Sequence, residues 1–173
     1  MKHFSLPRRV NFVAFLICVG LIIEGGYLQF VEGLEPCVLC VLQRLVFFIL
    51  ALQFFIGALH NATRIGARIQ GTAIFLVSSL GIALAGRQVW LENQPIGKVP
   101  TCGLDLTALW HLLPFREIFK IVLNGSPDCA KVTWRFLSYS IPQWAITFFC
   151  LFAVLGIWQI FYKRNTFIHG RNT

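Results

Sequence analysis

Four separate runs of about 20 apolar residues dominate this chain, at 10–30, 41–59, 71–91 and 144–162. A helix of that length crosses the roughly 30 Å hydrocarbon core of a bilayer and satisfies its own backbone hydrogen bonds on the way. The first three runs hold a single charge each (Glu24, Arg44 and Arg87) and the fourth holds none. A soluble domain of 173 residues has no use for four such helices, and the polar surface to cover them is missing. Only 13% of residues are charged and 57% are apolar, against about 25% charged in soluble domains. The expected fold is an all-α integral membrane protein, a four-transmembrane-helix bundle forming a single membrane domain over 1–173. No internal repeat, low-complexity tract or soluble domain interrupts it.

The 15 Lys+Arg against 7 Asp+Glu would suggest a polyanionic partner on a soluble chain; here they report orientation, and nucleic-acid binding is not expected. The N-terminal tail, the connection 60–70 and the C-terminal tail together carry eight basic residues and no acid, whereas 31–36 and 92–143 carry five basic residues and six acids. The positive-inside rule puts both termini and loop 60–70 in the cytoplasm, and loops 31–40 and 92–143 outside. Tyr27, Trp90, Tyr139 and Trp144 then form an outer aromatic belt, Trp158 and Tyr162 an inner one. The basic start and apolar run of span one also resemble a secretion signal. No clear small-residue cleavage site follows, however, and removal would separate the two outer loops, so the span is expected to stay. Within the long outer loop, Phe115, Ile118, Phe119 and Val122 share one helical face between Pro114 and Asn124-Gly125, which predicts a short amphipathic helix on the membrane surface.

Six cysteines punctuate this frame. Cys18 and Cys150 lie inside spans one and four and read as small buried packing residues. The other four are all outside: Cys37 and Cys40 as Cys-Val-Leu-Cys, and Cys102 and Cys129 with 26 residues between them. Four cysteines allow three pairings, and spacing does not choose among them. A loop the size of 102–129, if closed, restricts the unfolded chain by about 3–4 kcal/mol, enough for an inert structural bond. A bond between Cys37 and Cys40 encloses two residues, constrains little and is strained, and strained disulfides are the redox-active ones. Pro36 places Cys37 where span two begins, and the unpaired N–H groups of a helix start favour a thiolate. Arg44, four residues after Cys40 on the same face, adds a permanent cation one turn deeper. A zinc site would want two close cysteine pairs, and a haem would want histidines facing each other inside the bundle. Neither pattern is present, so no metal is expected.

The run Glu35-Pro36-Cys37-Val38-Leu39-Cys40-Val41-Leu42-Gln43-Arg44 at the head of span two resembles the DsbB family, the bacterial inner-membrane thiol:quinone oxidoreductases that reoxidise the periplasmic oxidant DsbA. The resemblance continues through Ala85-Gly86-Arg87-Gln88-Val89-Trp90-Leu91, Val99-Pro100-Thr101-Cys102-Gly103, Asp128-Cys129 and Pro142-Gln143-Trp144. A Cys-x-x-Cys alone is a common pattern; this ordered set on this topology is specific.

The resemblance implies a catalytic role for Cys37, Cys40, Cys102 and Cys129. Reduced DsbA-type partner would attack a Cys102–Cys129 disulfide at Cys102, giving a mixed disulfide. Cys129 would then attack Cys37, and Cys40 would donate to a bound quinone, ubiquinone or menaquinone. Arg44 matches the arginine that the family places beside the quinone. Because DsbA is among the most oxidising dithiol proteins, glutathione cannot regenerate it, whereas a lipid-soluble two-electron acceptor can. Many relatives carry a histidine after span three where this chain has Glu92-Asn93, and Asn93 cannot deliver a proton near neutral pH. Glu24 and Arg87 fall near the outer third of their spans, where an unpaired charge is costly. Pairing of Glu24 with Arg87 or Arg44 is expected to shape the quinone pocket. The alternative function is a structural membrane subunit with two inert disulfides. A small transporter is disfavoured, since no two spans are broken by Gly or Pro in related halves.

Overall fold

The computed structural model describes residues 6–33, 37–59, 64–93, 135–136 and 139–162. Four helices carry the fold: α1 (Leu6–Phe30), α2 (Val38–Leu59), α3 (Arg64–Glu92) and α4 (Ile141–Phe161). All four are long and apolar enough to cross a membrane. Just before α4, strands β1 (Arg135–Phe136) and β2 (Tyr139–Ser140) pair antiparallel, with Arg135 opposite Ser140 and Phe136 opposite Tyr139. The expected amphipathic helix around 115–122 lies outside the described residues.

Local chemistry sets the helix starts. Pro7 sits in the first turn of α1, where its missing N–H is not needed. The Cys37 carbonyl accepts the Val41 N–H at 3.1 Å, which makes Cys37 the cap of α2. Ser140 caps α4 in an extended conformation, Pro142 occupies the first turn, and the Gln143 side chain accepts the Ser140 N–H at 2.8 Å. The helices begin three to seven residues before the apolar runs do. Hydropathy marks the hydrocarbon crossing, while backbone hydrogen bonding continues into the interface. The 29 residues of α3 reach about 43 Å, well beyond a 30 Å core.

Inside the bundle, aromatic rings form the central layer. Phe47 stacks on Phe149 with centroids 4.2 Å apart, and Phe152 meets Phe47 and Phe54 edge-on. Cys18 is fully buried in this core, beside Ala14 and Leu50, as a packing residue should be. Cys150 is not; it lies exposed on the outer side of α4, because α4 turns Phe149 and Phe152 inward and the two residues between them out. The outward faces stay apolar, with Ile23 65%, Leu76 61% and Val154 61% exposed. A surface of this kind is stable only against lipid.

The helices associate unequally. The seam between α3 and α4 is the most extensive, α1 leans on α2, and α2 joins α3. Among the described residues α1 and α4 scarcely touch. At the end opposite Cys37, Gly71 and Gly156 let α3 and α4 approach so closely that a Cβ on either would lie within 2.8 Å of the other's carbonyl oxygen. Small residues serve this purpose in membrane bundles, where the hydrophobic effect does not drive helices together. At the same end, buried Gln159 donates to buried Asn11 at 2.6 Å, linking α4 to α1. Arg8 donates to the Ala58 carbonyl at 2.8 Å, satisfying an acceptor in the last turn of α2. The aromatic pairs Tyr139–Trp144 and Trp158–Tyr162 mark the two ends of α4, at the levels where amphipathic rings settle in a bilayer interface.

Candidate active site

The end of α1, the start of α2, the end of α3 and the start of α4 meet at one end of the bundle. Cys37, the α2 cap, is 7% exposed; Cys40 follows within the first helical turn. Their sulfurs lie 3.1 Å apart, about 1 Å more than a covalent S–S bond. Leu39 beneath them and Leu91 on α3 are buried with them, and Leu84 packs on the same cluster. The pair therefore has a dry wall on one side and a helix start on the other.

On the α3 side the wall carries one polar group. Gln88 is 5% exposed, and its Nε2 donates to Cys40 Sγ at 3.2 Å. Its Oε1 accepts from Gln43 Nε2 at 2.7 Å, and Gln43 is also buried. Neither glutamine stood out in the sequence as a site residue. The available signal was two carboxamides inside predominantly apolar runs, where an unpartnered polar group is expensive.

Arg44 turns sideways. Its Nη1 donates to Gln29 Oε1 at 2.5 Å, and its Nη2 donates to the Gly25 carbonyl. Both bonds go to α1, so the guanidinium bridges two helices rather than reaching straight up to the headgroups. Gly25 is part of this arrangement, since a Cβ there would stand 2.8 Å from Arg44 Nε.

The remaining expectations fare differently. The Glu24 cluster does not form among the described residues: Glu24 is exposed on α1, Arg44 is committed to Gln29 and Gly25, and Arg87 lies over the Trp90 ring at 4.3 Å. The rotation of α1 that brings Gly25 under Arg44 turns its neighbour Glu24 away. Asn93 donates to the Val89 carbonyl at 2.9 Å, closing the last turn of α3. Glu92, just before it, accepts from Ser140 Oγ at 2.8 Å and ties α3 to the start of α4. Cys102 and Cys129 lie outside the described residues. No group of three or more potential metal ligands occurs among the described residues.

Comparison with known proteins decides the family. Residues 7–159 match the family model described as disulfide bond formation protein DsbB. The chain belongs to the DsbB family. Among curated relatives, disulfide bond formation protein B of Marinobacter nauticus is 41% identical over 145 residues, covering 84% of this chain and 86% of that one. Disulfide bond formation protein B 1 of Pseudomonas aeruginosa is 39% identical over 153 residues, 88% and 94% of the two chains. The Xanthomonas euvesicatoria protein of the same name is 35% identical over 171 residues, 98% and 99%. Membership in DsbB accounts for the four membrane-spanning helices and makes this a disulfide-forming oxidoreductase.

Proposed function

We propose that this chain is a thiol:quinone oxidoreductase of the bacterial inner membrane, reoxidising a DsbA-type thiol oxidase on the periplasmic side and passing the electrons to ubiquinone or menaquinone. The observation that carries this reading is the placement of Cys37 and Cys40. Their sulfurs lie 3.1 Å apart in the first turn of a membrane-spanning helix, one of them hydrogen-bonded to a buried amide. An inert disulfide gains nothing from such a place, whereas electrons leaving a protein for a lipid-soluble carrier require it.

The residues present suit a quinone. Of the five N–H donors of a guanidinium, two in Arg44 are committed to α1, which leaves three for a quinone oxygen. A quinone bound there would supply the acceptor for two electrons and two protons. Arg44 would hold it, and Leu91, Leu84 and Leu39 would keep water from the sulfurs.

The thiol chemistry balances within the chain and its partner. A thiolate of the reduced partner attacks Cys102 of a Cys102–Cys129 disulfide; a mixed disulfide forms and Cys129 leaves with the electron pair. Cys129 attacks Cys37 of a Cys37–Cys40 disulfide, and Cys40 leaves as thiolate. The partner's second cysteine closes its own disulfide and frees Cys102. Cys102 then retakes Cys129 and releases Cys37. The partner has lost two electrons and two protons, and the vicinal pair now holds the electrons. Each step needs an attacking thiolate and a stabilised leaving sulfur.

The test uses purified full-length protein in lipid nanodiscs with a reduced thioredoxin-fold oxidase and a soluble quinone analogue, followed by quinone absorbance. Turnover is expected in the wild type and its loss in Cys37→Ser and Cys40→Ser. An undiminished rate in Cys40→Ser would refute the reading.

A further inference from the structure

We infer that Gln88, held by the positioning residue Gln43, is a catalytic hydrogen-bond donor that stabilises the electron pair left on Cys40 Sγ when the Cys37–Cys40 bond breaks. The inference rests on the thiol-exchange reading above and deepens it. Gln88 belongs to α3 and both cysteines to the start of α2, so the contact joins two helices. Both glutamines are 5% exposed, and two carboxamides buried in an apolar bundle destabilise it unless each is paired. The pairing observed has a direction. Gln43 Nε2 donates to Gln88 Oε1 at 2.7 Å, which occupies the acceptor end of Gln88 and leaves its NH2 facing Cys40 Sγ at 3.2 Å. Gln43 stands three residues after Cys40 on the same helix, so α2 itself supplies the group that sets the Gln88 amide.

An N–H aimed at sulfur is worth more to a thiolate than to a thiol, because a hydrogen bond to an ion is the stronger one. When an incoming thiolate attacks Cys37 Sγ, the new S–S bond forms as the Cys37–Cys40 bond breaks, and both electrons of the broken bond stay on Cys40. The Gln88 N–H is in place before that charge arrives. No proton moves; the amide stabilises the leaving group by hydrogen bonding alone, and lies in dry surroundings where such a bond counts most. The Oε1 of the same amide, already bonded by Gln43, lies farther from Cys40 Sγ at 3.7 Å, so the nearer contact is the donor.

The charged and titratable groups on the neighbouring elements, among the described residues, make these contacts. Cys37 lies at 3.1 Å, Arg44 is turned to Gln29 and Gly25 of α1, Arg87 covers Trp90, and Glu92 accepts from Ser140 ahead of α4. Glu24 and Tyr27 are exposed on α1. Gln88 is an uncharged donor that α3 contributes to the Cys40 sulfur.

The experiment measures alkylation of Cys40 in the reduced, full-length protein by iodoacetamide, read by peptide mass spectrometry across a pH series. Gln88→Leu and Gln88→Met remove the donor; two substitutions are used so that one failing to fold leaves the other, with helicity and melting checked for both. Iodoacetamide reacts with the thiolate, so loss of the donor is expected to slow alkylation about tenfold at pH 7 and to leave the high-pH plateau unchanged. Gln43→Leu, which frees the Gln88 amide to turn, is expected to slow it about threefold. A purely structural role would leave the dependence on pH as it was. Wild-type profiles in Gln88→Leu and Gln88→Met would overturn the inference. The assay uses no quinone, so the two readings fail separately: a wild type unable to reduce quinone would sink the oxidoreductase, and normal alkylation in variants of an active enzyme would sink Gln88 alone.

Discussion

Gly25 on α1 lies directly beneath the Arg44 guanidinium of α2, and a Cβ at that position would stand 2.8 Å from Arg44 Nε. The arginine can bond the Gly25 carbonyl because the helix presents bare backbone there. Gly25→Ala is expected to push the guanidinium off α1 while barely disturbing the fold, since the atom in the way belongs to a flexible side chain. If Arg44 holds the quinone, KM for quinone should rise about 3- to 10-fold, with the rate of thiol exchange unchanged. Stopped-flow quinone reduction together with a mixed-disulfide gel assay separates the two.

The contact between Gly71 and Gly156 is less forgiving. A Cβ on either meets the backbone carbonyl of the other helix at 2.7–2.8 Å, and neither backbone can yield without opening the α3–α4 seam. Gly156→Ala or Gly71→Ala should therefore destabilise the bundle by about 1–3 kcal/mol, the usual range for overpacking. Thermal melts in detergent would register a lower midpoint, and a midpoint equal to wild type would show that the helices are not so tightly held.

The hydrogen bond from Gln159 to Asn11, 2.6 Å long between two buried side chains, calls for a double-mutant cycle. Asn11→Leu and Gln159→Leu each strand one buried carboxamide, while the double variant strands none. A favourable coupling of about 0.6–1.7 kcal/mol is expected, the range found for bonds between membrane helices. Additive effects would mean that each side chain has found another partner.

Much of the architecture is legible in the residues themselves. A run of 20 apolar residues permits only a crossing helix, so four spans could be read directly, and Pro36-Cys37 foretold a helix start at the vicinal pair. Legibility fails where rotation about a helix axis decides the outcome. Glu24 and Gly25 are adjacent in sequence, yet only Gly25 faces Arg44. A charge-pairing rule favoured Glu24, whereas the helix presented a backbone carbonyl and Gln29. Cys18 and Cys150 read alike, as apolar-flanked cysteines, and differ only in which side of their helix meets the core. Gln43 and Gln88 stood within the very segments that carried the family resemblance. Their importance comes from an amide-to-amide contact across 45 positions, which no local pattern encodes.

The Asn11–Gln159 bond also limits where α1 can part from α4. It pins α1 to α4 at the end remote from the cysteines, while above it the two helices scarcely meet. Any tilt of α1 about that pin has to break the two bonds from Arg44 to Gln29 and Gly25, so the arginine is the latch that holds the cysteine end shut.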